Sequence, residues 1–232
     1  MEKHIIHTKV SKSLSRFMQI FDGSFPSGAF VHSFGLEPHI VLEKVKTSVE
    51  LKKFLHNLIV HQYQGFDFVL VKKVYKYFEQ NRLNLIIKED EKFSCMTSFE
   101  HTKASQDLGE NYLRQINNGI QRKIVQEYFN KVKSKHSNGN ELIVLTAYAY
   151  ELDMDVELFL LLWCKKNILN IAMTSLKISR IKPSEIQQIL FEFDDDLEEL
   201  IENTKVNINN FNPLFEEIIY QHKNLEPKMF MT

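Results

Sequence analysis

Nine histidines, two cysteines and 30 acidic residues are the raw material for metal or nucleophilic chemistry, and their spacing decides whether they can perform it. His56 and His61 stand five apart, which puts them on different faces of a helix, whereas paired ligands need three or four. His4 and His7 have a usable spacing but lie in a polar N-terminal stretch. The sequence contains no His-Glu-x-x-His and no Cys-x-x-Cys. Cys95 and Cys164 are too far apart in sequence for a clustered zinc site and too few for a disulfide scaffold. Both thiols are expected to be buried and reduced, as suits a cytoplasmic protein. There is no Gly-x-Ser-x-Gly elbow and no glycine-rich phosphate loop, so neither acyl chemistry nor nucleotide binding has its usual framework. Asp194, Asp195 and Asp196 point in different directions on a helix and read as a solvated face. The expectation is a chain with no catalytic residue, no metal and no cofactor.

One segment stands apart. Asp22 to Glu37 holds three of the seven glycines (Gly23, Gly28 and Gly35) together with Pro26. It reads as a tight turn whose backbone passes close to another surface, followed by helical spacing from Phe30 through Phe34 and Leu36. Ser24 or Ser27 can cap, and His32, Ser33 and Glu37 are placed along the first turns. Neighbours on a helix diverge by about 100°, so Ser33 and His32 cannot pair as nucleophile and base.

The elements around that segment are helical throughout. Leu14, Phe17, Met18 and Phe21 recur at spacings of three and four, predicting an amphipathic helix over Ser13 to Phe21. Thr47-Ser48-Val49-Glu50 is a capping box, and the helix it opens carries Leu51, Phe54, Leu55, Leu58 and Ile59 on one stripe. Gly65 marks a kink or a division before Phe66 to Phe78. Helices are predicted over Phe93 to Ile116, Ile120 to Val132 and Glu141 to Leu152, with a loop at Lys135 to Asn140. Asp153-Met154-Asp155 caps a long helix, Val156 to Ile178, that is apolar on most of its circumference and so must be central or lie at a subunit interface. Leu158, Leu162 and Trp163 on it are the candidate dimer patch. Pro183 starts another helix and Pro213 a last one, reaching about Tyr220.

Composition agrees. The chain of 232 residues is 44% hydrophobic with a net charge of -1, so disorder and non-specific nucleic-acid binding lose their basis. Few glycines and prolines favour helices over turn-rich sheets, and the most apolar run, Val156 to Met173, carries too many polar residues for a membrane span. The fold class expected is all-α, a single-domain bundle of roughly eight to ten helices over residues 1–221. Residues 222–232 form a short tail that orders on a partner, because Leu225, Met229 and Phe230 are apolar in a stretch too short to bury them by itself.

The pattern Asp22, Phe25, Pro26, Gly28, His32, Ser33, Gly35, Leu36 and Glu37 resembles the signature of the urease accessory protein UreF family. Agreement continues at Glu100, Ala104, Ser105 and Gly109, at Asn167 in the long helix, and at His222, Leu225, Lys228 and Phe230 in the tail. The stretch Leu176 to Ser184 departs from the family's usual wording, as do Lys223, Glu226 and Pro227. The resemblance implies a non-catalytic, homodimeric urease-maturation scaffold that binds UreD (UreH in some systems). With it, the scaffold recruits the GTPase UreG to the urease apoprotein for GTP-dependent nickel insertion. It makes Asp22, Pro26, Gly28, Phe30, His32, Ser33, Gly35 and Glu37 one partner-binding segment and the tail another. Two alternatives stand beside it: a helical interaction module of another pathway, or a GTPase-activating protein for UreG whose arginine finger would come from Arg16, Arg82, Arg114, Arg122 or Arg180.

Overall fold

Thr47 opens its helix as the capping box requires: its Oγ1 accepts from the Glu50 amide at 3.3 Å, and the Glu50 carboxylate accepts from the Thr47 amide at 3.0 Å. The helix belongs to a computed structural model of the chain, described here for residues 10–29, 32–204, 217–218 and 220–230. In chain order the elements are α1 (Val10–Phe21), α2 (Leu36–Val41), α3 (Ser48–Asn57), a π-helical segment (Leu58–Asp67), α4 (Phe68–Glu79) and α5 (Leu83–Met96). There follow α6 (Phe99–Ile116), α7 (Lys123–Lys133), α8 (Glu141–Glu151), α9 (Val156–Ile178), α10 (Pro183–Glu192), α11 (Asp194–Glu202) and a 3₁₀ turn at His222–Asn224. No strand occurs among the described residues, and the fold is all-α.

The centre is made by α8 and α9. Every residue from Glu141 to Ala149 is buried, and α9 buries Phe159, Leu160, Trp163, Cys164, Ile168 and Ile171. Each such side chain removed from water contributes about 1.5–3 kcal/mol before entropy is counted. Asp155 starts α9 by accepting from the Glu157 and Leu158 amides at 3.0 and 2.9 Å. Phe17 of α1 packs its ring 5.4 Å from Phe159 and 5.9 Å from Tyr148, fixing α1 against both central helices.

Helix α6 lies against the start of α8 through its small residues. The Ser105 hydroxyl accepts from the Glu141 amide at 3.1 Å, capping α8 from a neighbouring helix. A Cβ placed on Gly109 would sit 2.0 Å from the Gly139 carbonyl oxygen, so only glycine permits this approach. Gly109→Ala is therefore expected to lower stability by about 1–3 kcal/mol, despite alanine's better helix propensity, as read by urea denaturation. The facing loop is held rigidly. Fully buried Asp90 accepts from the Ser137 hydroxyl at 2.5 Å, the Gly139 amide at 2.7 Å and the Asn140 amide at 3.0 Å.

Four differences from the sequence reading have plain causes. The helix expected over Phe93 to Ile116 is two, because Thr97 is extended (φ -106°, ψ 159°) and Ser98 caps a new helix by accepting from the His101 amide. The first of these begins at Leu83, earlier than apolar periodicity suggested. Cys95 is exposed rather than buried, whereas Cys164 is buried and burial pushes its thiol well up. The helix expected from Phe30 starts only at Leu36, since Phe34 and Gly35 both have positive φ. His4, His7, Phe30 and the start of the helix expected at Pro213 lie outside the described residues.

Candidate functional site

The signature segment folds from its own short-range bonds. Asp22 Oδ1 accepts from the Ser24 amide at 2.8 Å and from the Ser24 hydroxyl, and those bonds hold the Asp22 carboxyl below the usual carboxylate range. The Phe25 amide donates to the Asp22 carbonyl at 3.0 Å and the Ser27 amide to the Phe25 carbonyl at 2.7 Å, so Pro26 stands at the outside of a tight turn. Gly28 has φ 83°, a left-handed conformation that a side chain resists, and Asn111 of α6 donates to the Ser27 carbonyl at 2.9 Å beside it. The Phe25 ring stacks on Tyr112, centroids 5.7 Å apart. Helix α6 is thus the floor of the turn.

The chain then reverses into α2. Phe34 at φ 49° and Gly35 at φ 83° make the reversal, and the Ser33 hydroxyl accepts from the Glu37 amide at 3.3 Å. His32 and Ser33 precede the helix rather than lying along it, and both are buried. His39 donates a ring N–H to the Gly35 carbonyl at 2.6 Å, closing the same bend.

Glu37 carries the junction. Its side chain is 2% exposed and accepts from three groups of the closing segment: His222 Nε2 at 2.8 Å, the Met229 amide at 2.7 Å and the Phe230 amide at 3.2 Å. Phe230 is itself buried, with the Lys177 ammonium 5.4 Å from its ring. The tail therefore does not stand off the domain, as apolar content alone suggested. One carboxylate satisfies the backbone donors that a short segment could not satisfy for itself. Leu225 is half-buried, while Lys228 and Met229 remain exposed at the rim.

Beneath the turn lies a buried ion pair that the sequence reading missed. Lys166 Nζ stands 2.9 Å from the Glu141 carboxylate, and both side chains are under a tenth exposed. Burial pushes the Lys166 ammonium down, but Glu141 and Tyr112 outweigh it and hold the group above its ordinary value. The ammonium also sits 5.8 Å from the Phe21 ring and 5.6 Å from Tyr112. A lysine among the core-facing residues of α9, with a glutamate in the first turn of α8, was the available signal.

His32 borders this pair. Burial pushes its imidazole below the ordinary value of 6.5; Glu141 and Asp107 pull the other way, while His101 and Lys166 add to the depression. His39 is lowered by burial too. Between the folded and ordinary values the unfolded chain binds more protons than the folded one. Stability is therefore expected to decline as pH falls below about 6.5, and to level off once the folded imidazoles also protonate. Denaturant midpoints measured from pH 8 to pH 5 check this, and the slope should flatten in His32→Gln.

The patch expected on α9 divides. Leu158 and Leu162 are half-buried on the outer face, but Trp163 is 4% exposed and packs edge-on to Tyr63 at 4.9 Å, so it belongs to the core. Trp163 follows Leu162 by about 100° around the helix, which turns it inward. Leu169, seven residues after Leu162, is 40% exposed on the same face, and Met173 is half-buried beyond it. Seven-residue spacing would have found Leu169. Gln187 of α10 approaches Met173 at 3.9 Å, and Phe191, a turn further along α10, is 68% exposed.

Of the arginines, Arg114 pairs with Glu110 at 2.7 Å, and Arg122 pairs with Asp153 while lying 4.2 Å over the Tyr150 ring. Among the described residues no group of three or more His, Cys, Asp or Glu could hold a metal ion, and no helix is long and apolar enough to cross a membrane.

Fold and site together define an all-helical protein whose most distinctive polar constellation fastens its closing segment to an N-terminal turn. The family model described as UreF matches residues 45–194, and the chain belongs to the UreF family. It is similar to the urease accessory protein UreF of Bacillus sp. (strain TB-90), 27% identical over 232 residues, covering 96% of this chain and all of that one. It is also similar to the urease accessory protein UreF of Ureaplasma parvum serovar 3, 22% identical over 227 residues, covering 95% of this chain and 97% of that one. The signature turn and the closing segment fall outside the family match.

Proposed function

We propose that this chain is a non-catalytic scaffold of urease maturation. With UreD (or UreH) it recruits the GTPase UreG to the urease apoprotein in the cytoplasm, so that GTP hydrolysis drives nickel insertion. The observation that carries the reading is the Glu37 junction. Three bonds from residues 222–230 to one buried carboxylate fasten the tail to the first turn of α2, and Pro26, Lys228 and Met229 are each exposed. Preformed surfaces of this kind bind partners without an added ordering cost. The relatives' common name, urease accessory protein, supports the pathway. The α9 ridge of Leu158, Leu162 and Leu169 is the contact between two copies, an apolar strip on a helix already apolar inside.

Deleting residues 222–232 tests the reading. Helical circular dichroism is expected to persist while co-purification with UreD and UreG is lost and the nickel content of co-expressed urease falls to background. Normal assembly and nickel loading by the truncated chain would overturn it. Leu162→Glu with Leu169→Glu is expected to shift the particle to monomer mass in light scattering.

A further inference from the structure

The π-helical segment has a geometry with an internal purpose. Residues five apart diverge by about 140° on an α-helix. A π turn bonds i to i+5 and brings them over one another. Gln62 and Asp67 are such a pair, and the Gln62 amide nitrogen donates to Asp67 Oδ2 at 3.3 Å, with both residues buried. The arrangement occupies one of the amide's two N–H groups and leaves its acceptor, Gln62 Oε1, buried with no partner in the protein. Across the same space the indole N–H of Trp163 is also buried and unpartnered.

Both atoms belong to residues lining one cavity of about 40 Å³, with half-buried Phe34 of the signature segment and half-buried His101 also in its wall. Ser105, Glu141 and Asn167 contribute polar wall; Leu58, Phe93 and Leu142 contribute apolar wall. Gln62 is 1% exposed and Trp163 4%, so bulk solvent does not serve either. The orphans are complementary: one acceptor and one donor facing a single space. A water molecule needs about 10–15 Å³ of such volume and two to four polar partners, so the cavity has room for about three.

We propose that this cavity is a built site for a small cluster of ordered water, bridging Gln62 Oε1 to Trp163 Nε1 and solvating the carboxylates of Asp67 and Glu141 under the signature turn. The π-helical turn is what aims the acceptor, since an α-helical Gln62 could not hold Asp67 and face the cavity together. Water suits the site better than an apolar guest because its two orphaned atoms are of opposite hydrogen-bonding sense.

Trp163 is the sole tryptophan, so its fluorescence reads the site directly in the full-length chain. The emission of the unaltered protein is expected to lie to the red of a dry, buried indole, and Gln62→Leu, which removes the opposite anchor, to shift it to shorter wavelength. A high-resolution crystal structure of the unaltered chain is expected to show density within hydrogen-bond distance of both atoms, and xenon under pressure not to enter. A cavity without such density, or one that takes up xenon, would overturn the proposal even if Gln62→Leu fails to fold.

Discussion

Glu37→Ala is expected to release the closing segment while leaving the bundle intact. The substitution strands the His222 ring N–H and the Met229 and Phe230 amides in a buried setting, at about 1–3 kcal/mol for each unsatisfied group. A segment of nine residues with one buried aromatic anchor, Phe230, does not outweigh that sum, so it leaves the surface rather than unfolding the domain. Limited trypsin digestion should then cut faster after Lys223 and Lys228 than in the unaltered chain, while the urea midpoint of the bundle barely moves. Recovery of UreD and UreG with the variant should fall at least tenfold. Glu37→Gln keeps one acceptor oxygen and the side-chain shape, so it should retain part of both properties. Protection of the tail in Glu37→Ala would show that Phe230 alone holds it.

Lys166→Ala is expected to be the most destabilising single change, by about 3–5 kcal/mol, because it leaves the Glu141 carboxylate buried without its counter-charge. Glu141→Ala should cost a similar amount for the reciprocal reason. The double change Lys166→Met with Glu141→Leu should recover most of the loss, since paired apolar groups of like volume avoid the desolvation of two ions. Urea denaturation of the unaltered chain and the three variants checks these expectations, and the singles Lys166→Met and Glu141→Leu complete the cycle that gives the coupling. The pH dependence has a definite sign. A lysine held above its ordinary value contributes stability that is fully present below about 10.5 and disappears only as pH rises through the folded value. The pair therefore persists across neutral pH, unlike the contribution of His32.

The helices were legible wherever a local rule settled them. Thr47 and Asp155 cap where their side chains require, and Pro183 opens α10 at the position proline prefers. The signature turn was legible as a turn, because Gly28 and Gly35 have the left-handed backbone their residue type permits. What sequence order could not show was contact at a distance. Glu37 and His222 are separated by 185 residues, and Lys166 from Glu141 by 25, so neither pairing leaves a local pattern. Phe34 ran against expectation, being a bulky residue at positive φ that tertiary packing imposes. The outward side of α9 was only half legible: apolar residues all round hide which of them face in, and Trp163 went to the core.

The separation across the Glu37–His222 bond has a consequence in time. The turn and the helices between these residues are built largely from contacts closer in sequence, so they can form before the two sides of the junction meet. Closing a loop of this length is slow relative to local helix formation, so the junction closes onto elements already formed. The closing segment is thus expected to dock last in refolding, with the Glu37 carboxylate as the latch it closes on.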